Sequence, residues 1–506
     1  MGGSDSRRWW ALAGVTLAVL AAGIDGTVLS VALPTLATVL HASESDLQWF
    51  SAGYLMVVAA AMLPAGLLGD RYGRKRVMLV SLALFGLGSA TCAAVKTPGE
   101  FVAARVLLGL AAAGIIVMAV SALTVLFTPE ERPKAVGIWA AANFVSVPIG
   151  PVLGGWLLAH TWWGWVFLMN VPVAAVGLVA ALLLVPESRS PDRPKLDPLG
   201  ILASTAGLVG LTYGFIETGI SGWGSARALL PAGLGLGLLL LFFLWEQWLG
   251  RRPGGQPLVD PALFRSASFT WGVVLMSVAV LAMIGVLFVM PQYFQGVLGT
   301  NAMGSGVRLL PLVGGLIVGA LPADRVARRL GGKVTVSLGC AVLAGGLLLG
   351  GATDMGATDA FVAVWMAVAG AGMGLAMSTA ASAALAELSE ERSGVGSAVL
   401  QALKNVGGPI GSAVLGSVLN ATYRNRLALG GLPAAAGHLA RESVFAGVAV
   451  AGALRSQVLL ASVRGAFVSG LDRVLWASSA VALCGALLAL AFLPRAGSGK
   501  EGRVAQ

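Results

Sequence analysis

The stretch Gly66–Arg76, GLLGDRYGRKR, lies between two long apolar segments and concentrates charge in one short turn. Its charged side chains are Asp70, Arg71, Arg74, Lys75 and Arg76. Basic residues collect in cytoplasmic loops because the insertion machinery retains Lys and Arg on that side of the membrane. The stretch is therefore predicted to be a cytoplasmic loop that joins two membrane helices and holds them close together.

The composition of the whole chain is that of a polytopic membrane protein. Its 506 residues are 57% hydrophobic and 11% charged, with a mean hydropathy of +0.85, whereas a soluble domain carries about 25% charged residues. Cys92, Cys340 and Cys484 all lie inside apolar runs, so we predict neither a disulfide framework nor a metal site. The net charge of +10 reports which loops face the cytoplasm rather than a nucleic-acid partner.

Apolar runs of about 20 residues, the length that crosses about 30 Å of hydrocarbon, recur along almost the whole sequence. They predict an all-α integral membrane fold with about fourteen transmembrane helices. The predicted spans are residues 11–34, 48–69, 76–95, 101–126, 135–158, 163–185, 198–219, 228–249, 270–292, 303–322, 332–352, 359–384, 395–420 and 470–493.

Loop charges predict the orientation of these spans. With the N-terminus inside, the basic loops face the cytoplasm, and an even number of spans places both termini there. The stretch 421–469 is the exception, since it carries five arginines yet would lie outside: Arg424, Arg426, Arg441, Arg455 and Arg464. It is interpreted as a loop or a pair of external helices, with two extra spans as the alternative.

An internal repeat divides the chain into related halves. The segment Ala320–Arg329, ALPADRVARR, aligns with the opening loop so that Asp324 falls on Asp70. The pair Gly150-Pro151 recurs as Gly408-Pro409 at nearly the same separation. We predict a six-helix bundle at 1–190, two inserted membrane helices at 191–268, and a second, pseudo-symmetric six-helix bundle at 269–506 that includes the external stretch 421–469.

The opening loop resembles the G-x-x-x-D-R-x-G-R-K signature between the second and third helices of the major facilitator superfamily. In this family, parallel repeats place the substrate site at their interface. Asp70 would accept hydrogen bonds from free amides near 393–396, and Asp324 would face the start of span five near Pro133. The alternative is that these charges only set topology. The predicted conformational latch comprises Gly66, Asp70, Arg71, Gly73, Arg74, Asp324 and Arg325.

Asp25 lies near the middle of the first span, where a carboxylate costs about 2.5 to 3.5 kcal/mol on insertion scales. Its setting, D-x-T-V-x-x-x-A-L-P, resembles the first-helix signature of the fourteen-span drug:proton antiporters. The resemblance implies that Asp25 exchanges a proton for a drug. The alternative is a permanent tie to a neighbouring base or to a hydroxyl such as Thr27.

Arg105 in the fourth span is the predicted partner of Asp25. Arg105 and Gly109 match the family motif R-x-x-Q-G, which implies a proton-relay role, while Leu108 replaces the glutamine. A purely structural ion pair is the alternative.

The fifth span resembles the antiporter motif G-x8-G-x3-G-P-x2-G-G, with Ser146 at the second glycine. In the family this motif marks exporters. Residues spaced by four lie on one helical face, and a face of small residues lets a neighbouring helix approach closely. The matching positions are Gly137, Gly150, Pro151, Gly154 and Gly155.

Span thirteen carries a polar stripe, which indicates a water-lined face. Some drug exporters of the family have an acid here, and its replacement by Lys404 and Asn405 admits neutral or anionic cargo. The predicted cavity-lining residues are Asn143, Ser146, Gln401, Lys404 and Asn405.

The sequence has no phosphate-binding loop and no catalytic constellation, so we predict a secondary transporter rather than an enzyme. The prediction is a monomeric, plasma-membrane drug/proton antiporter for hydrophobic, cationic or amphipathic drugs or antibiotics, which uses the proton gradient and no cofactor. Alternatives are dedicated self-resistance export of one natural product, uptake of a nutrient, or a membrane sensor or scaffold.

Overall fold

The structure is a computed structural model of the chain. It describes residues 2–128, 131–189, 197–252, 255, 257–386, 399–430 and 433–494. The elements in these ranges are helices, and no strand occurs among them. The predicted all-α membrane fold is therefore confirmed.

Seven helices make up the first half. They are α1 (Gly2–Val39), α2 (Glu44–Tyr72), α3 (Arg74–Ala94), α4 (Pro98–Leu126), α5 (Arg132–His160), α6 (Trp165–Leu168) and α7 (Asn170–Leu184). The helices α6 and α7 together form one membrane-length segment. Two inserted helices follow, namely α8 (Pro198–Ser221) and α9 (Ala226–Arg251).

The second half begins after the short 3-10 helix Pro261–Arg265. Within this half, residues 399–404 form a short helical segment just before the helix that begins at Gly407. Its helices are α10 (Ala267–Gln292), which continues as the π-helical turn Tyr293–Val297, α11 (Ala302–Arg308), α12 (Leu310–Ala320), α13 (Ala323–Leu330), α14 (Gly332–Gly350), α15 (Asp359–Ala386), α16 (Gly407–Arg426), α17 (Ala434–Ala440), α18 (Val444–Ala453) and α19 (Gln457–Phe492).

The described residues contain twelve helical segments long and apolar enough to cross a membrane. The remaining predicted spans, the fifth and the thirteenth, coincide with α5 and α16, which are 29 and 20 residues long. Most helix ends extend a few residues beyond the predicted spans, because hydropathy marks the hydrocarbon segment and not the capped ends. Ser43 and Thr97, for example, cap α2 and α4 with reciprocal capping boxes.

The helices pack as two groups. In the first half α1 contacts α5 and α7, while α4 contacts α2 and α3; in the second, α15 contacts α10, α12 and α14, and α19 contacts α14 and α16. We call the end of the bundle that carries Gly66–Arg76 the basic end. The end that carries the turn at 40–43 is the far end.

The inserted helices sit beside this arrangement. Helix α8 packs against α9, α2 and α16, whereas α9 is mostly exposed and presents leucines along its length. Glu246 is buried and accepts a hydrogen bond of 3.0 Å from the Val259 amide. Glu217 accepts a hydrogen bond from Ser221.

The stretch 421–469, which the sequence predicted to be external, consists of short elements and the beginning of the final helix. Helices α17 and α18 have 7 and 10 residues, too few to cross a membrane. The final helix begins at Gln457 and runs for 36 residues, so it contains the predicted last span 470–493 and also takes in residues 457–469 of this stretch. A pair of extra spans is excluded by these lengths.

Small residues bring α1 and α5 together. A methyl group added at Gly154 would overlap the Val28 side chain, and one at Gly150 would overlap Thr27 and lie 3.0 Å from the Val28 nitrogen. At this contact the backbone of α5 lies directly against α1, without large side chains between the two helices, as is common between membrane helices.

We therefore expect Gly150→Ala to lower the stability of the detergent-solubilised protein by about 1 to 3 kcal/mol, because α1 must move away from α5. Thermal unfolding followed by tryptophan fluorescence measures the change. Gly237→Ala is the matched control, since a methyl group there meets no atom within 4 Å. Equal unfolding midpoints for the two variants would contradict the contact.

Candidate functional site

A buried ion pair lies between α1 and α4. The Nη1 atom of Arg105 is 2.7 Å from Oδ2 of Asp25, and the two side chains are 1% and 0% exposed. The structure thus brings together the two residues that the sequence predicted as partners. Thr27, the alternative partner, instead has its hydroxyl within 3.3 Å of three carbonyl oxygens, those of Gly23, Ile24 and Ser146, to one of which it can donate.

Three further groups, which the sequence analysis did not select, complete the surroundings of the pair. Asn170, at the start of α7, donates from Nδ2 to Oδ1 of Asp25 at 3.0 Å. Arg105 donates from Nε to the Phe50 carbonyl at 3.3 Å, and its guanidinium lies 4.0 Å from the Tyr54 ring centroid. Both charges are therefore satisfied by direct contacts, as burial in a low-dielectric interior requires.

A close approach of α2 to α4 positions Tyr54. A methyl group on Gly109 would lie 2.9 Å from the Tyr54 carbonyl oxygen and from Cβ of Val57. Leu108, which replaces the motif glutamine, is fully buried and faces Gly88 of α3. The substituted position therefore packs between helices and does not contact the ion pair.

The residues of the fifth-span motif contact two different helices. Ser146, Gly150 and Gly154 face α1, while a methyl group on Gly155 would lie 2.6 Å from the Ala302 carbonyl oxygen of α11. Gly306 of α11 similarly approaches the Pro151 carbonyl. The motif therefore joins the first helix on one face and the second half of the chain on the other.

Span thirteen is interrupted at its polar stripe. The helix at 399–404 stops at a turn formed by Asn405 and Val406, and α16 then starts at Gly407. Asn405 donates to the Met62 sulfur at 3.2 Å, and Gly408 faces Leu55, so this part of the stripe lies against α2. Gln401 and Lys404 are half-buried, Ser412 is fully buried, and the Asn143 side chain lies outside the described residues.

The loop within Gly66–Arg76 is held in place by the residues that follow α7. Gly73 has φ 114°, a conformation that L side chains rarely adopt, and a methyl group there would lie 2.6 Å from Oε1 of Glu187. Glu187 accepts from the Lys75 amide at 3.2 Å, and Ser188 accepts from the Arg74 amide at 2.8 Å. Sequence analysis missed Glu187, because nothing in the local pattern links it to a loop so distant in the chain.

The predicted latch is only partly visible. Asp70 accepts two hydrogen bonds from Arg74, of 2.9 and 2.8 Å. Residues 393–396 lie outside the described part of the chain, so its predicted partner is not placed. Asp324 is exposed in the first turn of α13, while the side chains at the start of α5 are not described.

A bundle of membrane-length helices with a buried, fully hydrogen-bonded acid–base pair in its first half is the architecture of a membrane transporter. A family model for the Major Facilitator Superfamily matches residues 15–412. The chain therefore belongs to the Major Facilitator Superfamily, whose members are transporters and not enzymes.

Its relatives include antibiotic and drug exporters. The tetracenomycin C resistance and export protein of Streptomyces glaucescens is 32% identical over 504 residues, which cover 96% of this chain and 92% of that protein. The multidrug efflux pump LfrA of Mycolicibacterium smegmatis is 31% identical over 473 residues, with 92% and 93% coverage.

Solved structures share the fold. A bacterial homologue of the human lysosomal transporter Spinster superimposes with a TM-score of 0.68 at 16% identity, covering 96% of this chain and 97% of that one. A D-xylose–proton symporter superimposes with a TM-score of 0.60 at 15% identity, covering 96% and 98%. At these identities the likeness shows the fold alone.

We expect Arg105→Gln and Asp25→Asn each to destabilise the protein, because each leaves one buried charge unpaired, at a cost of about 3 to 5 kcal/mol. The double variant removes both charges and should be more stable than the sum of the two losses predicts. Thermal unfolding of the four proteins in one detergent measures this coupling. Strictly additive losses would show that the pair does not interact energetically.

Proposed function

We propose that this protein is a proton-coupled exporter of hydrophobic, cationic or amphipathic small molecules, working by alternating access in the plasma membrane of a bacterium. The basic end and both chain termini face the cytoplasm in this proposal, in line with the positive-inside rule. The proton gradient supplies the energy, without a bound cofactor, and the unit is a monomer. The export relatives and the exporter-type motif in α5 support the direction of transport.

The observation that carries proton coupling is the buried contact of Asp25 with Arg105 and Asn170. A proton that binds to Asp25 neutralises the carboxylate and ends its charge attraction to Arg105. Cargo bound near the site and a proton on Asp25 would then stabilise different arrangements of α1 and α4. Exchange follows if these arrangements belong to the two access states.

The interface between the halves supports alternating access. At the far end, Gln295 of the π-helical turn donates to the Val31 carbonyl of α1 at 3.2 Å, and the α5 motif meets α11. Near the middle of α2, the broken span thirteen faces this helix through Asn405 and Gly408. Discontinuous helices at repeat interfaces are typical of transporter substrate sites.

A second candidate is the dedicated export of one natural product. The relative named for tetracenomycin C resistance and export matches almost the whole chain. Lys404, where some exporters have an acid, favours a neutral or anionic polycyclic compound over a dicationic drug. The two candidates differ in cargo range and share one mechanism.

The test uses everted membrane vesicles with a proton gradient and a panel of fluorescent cationic dyes and neutral polycyclic antibiotics. We expect gradient-driven accumulation by the native protein and a loss of at least about tenfold with Asp25→Asn, comparable to the removal of a proton-transfer group. Glu217→Gln, which changes an acid of the inserted helices, is the control and should transport normally.

Accumulation that survives both Asp25→Asn and a protonophore would remove proton coupling from the proposal. Transport restricted to the antibiotics, with no dye accumulated, would favour the dedicated exporter.

A further inference from the structure

A second buried acid, Glu44, lies at the far end, where the two halves meet. It begins α2 and is 4% exposed. Its Oε1 accepts a hydrogen bond of 3.3 Å from Nε2 of Gln292, the last residue of α10. The contact therefore bridges the first and the second half of the chain, at a level different from that of Asp25.

Within the part of the chain that the structure describes, the Glu44 carboxylate has no cationic partner. No Lys, Arg or His side chain of the described residues forms an ion pair with it. A buried charge without a counter-charge is costly, and a carboxyl in such a place is more stable with a proton than without one.

Several side-chain amide oxygens on the helices around Glu44 have no hydrogen-bond donor among the described residues, so a protonated carboxyl could donate to one of them. Gln48, one helical turn after Glu44, is fully buried, and both atoms of its amide group are without a hydrogen-bond partner among the described residues. Its side chain lies over Gly416 of α16. The Oε1 atom of Gln292 and Oδ1 of Asn420 are likewise buried and unpartnered. The three unpartnered amide oxygens thus belong to α2, α10 and α16, the helices that meet beside Glu44.

The other ionisable groups nearby are engaged elsewhere. Asp46 accepts from the Ser43 amide and hydroxyl at 2.9 and 2.7 Å. The Tyr423 hydroxyl donates to the carbonyl oxygens of Ala440 and Ser443. The Glu442 side chain lies 3.5 Å from Nδ1 of His438, and His41 is exposed. None of them supplies the positive charge that a Glu44 carboxylate would need.

The external stretch is tied to the same place. The Glu44 amide donates to the Glu442 carbonyl at 2.8 Å, and Tyr423 of α16 is bound to both ends of the segment between α17 and α18. The residues that separate the last two spans therefore cap the contact between α2 and α16.

We propose that Glu44 is a second proton-binding site, which closes the far end when it is protonated. The proton bonds to the carboxyl oxygen not used by Gln292, and the resulting hydroxyl donates to an amide oxygen of the cluster. Loss of that proton leaves a carboxylate that gains stability from water, and water enters only if the halves separate at this end. The purpose of the site rests on the proposed proton-driven exchange, but its chemistry does not involve Asp25.

The experiment measures how accessible the far-end interface is, without cargo or gradient. In a chain with Cys92, Cys340 and Cys484 replaced by alanine, Gln295→Cys places one thiol at the contact with Val31. The rate of maleimide labelling of the purified protein is compared with and without Glu44→Gln between about pH 5 and about pH 9, a range that spans ordinary and raised carboxyl pKa values. The ratio of the two rates cancels the pH dependence of the thiol itself.

We expect the rates to be similar at the acidic end and the Glu44 protein to label about tenfold faster at the alkaline end, the factor that one pKa unit of differential stabilisation gives. Glu44→Asp retains an ionisable group and should keep the pH dependence. Glu100→Gln is the matched control, because it changes an exposed acid at the same end, and a glutamine can preserve the capping box of α4.

A ratio that does not change with pH would overturn the proposal and assign Glu44 a structural role. A ratio that follows sodium concentration at constant pH would also overturn it, in favour of a metal cation held by the oxygen atoms. Repeating the series with Asp25→Asn separates the two sites. A pH-dependent ratio in that background supports Glu44 even if dye transport proves independent of protons.

Discussion

The contact between Asp25 and Arg105 constrains the packing of the whole first half. Two opposite charges in a low-dielectric interior are tolerated only when both are paired and hydrogen-bonded with good geometry. Their 2.7 Å separation fixes the relative height of α1 and α4, and Asn170 adds α7 to the same point. Small residues make this geometry attainable, since Gly109 lets α2 approach α4 and Gly150 lets α5 approach α1.

Small residues on α5 also link the ion pair to the second half of the chain. Helix α5 presents one small-residue face to α1 and another to α11, so it connects the helix that carries Asp25 directly to the interface between the halves. Close backbone contacts are stiff, because a methyl-sized shift already produces overlap. This arrangement favours movement of the halves as rigid units over local rearrangement, as expected of transporters built from repeats.

The sequence predicted the spans and the Asp25–Arg105 partnership because both depend on local properties: apolar run length, and depth counted along a straight helix. It did not reveal Asn170, Tyr54 or Glu187, whose roles arise from contacts between segments far apart in the chain. The start of the final helix was missed for another reason. Residues 457–469 are helical but contain Arg464 and polar side chains, so hydropathy alone assigned them to the external stretch. Glu44 lay just before a predicted span and was treated as part of a loop.

Asp25 and Glu44 differ in what surrounds them, and this difference suggests that they have separate roles. Asp25 has a direct ion-pair partner in Arg105 and an amide donor in Asn170, so a competitor for Arg105 is needed to displace it. Among the described residues Glu44 has one amide donor and no cation, and unpartnered amide oxygens lie on the neighbouring helices, so in our proposal it holds a proton only while water is excluded. Closure of the far end and protonation of Glu44 then stabilise each other. In the proposed function, an acid of this kind would make closure depend on protons at the interface itself, whereas Asp25 would tie protons to cargo in the interior of the first half.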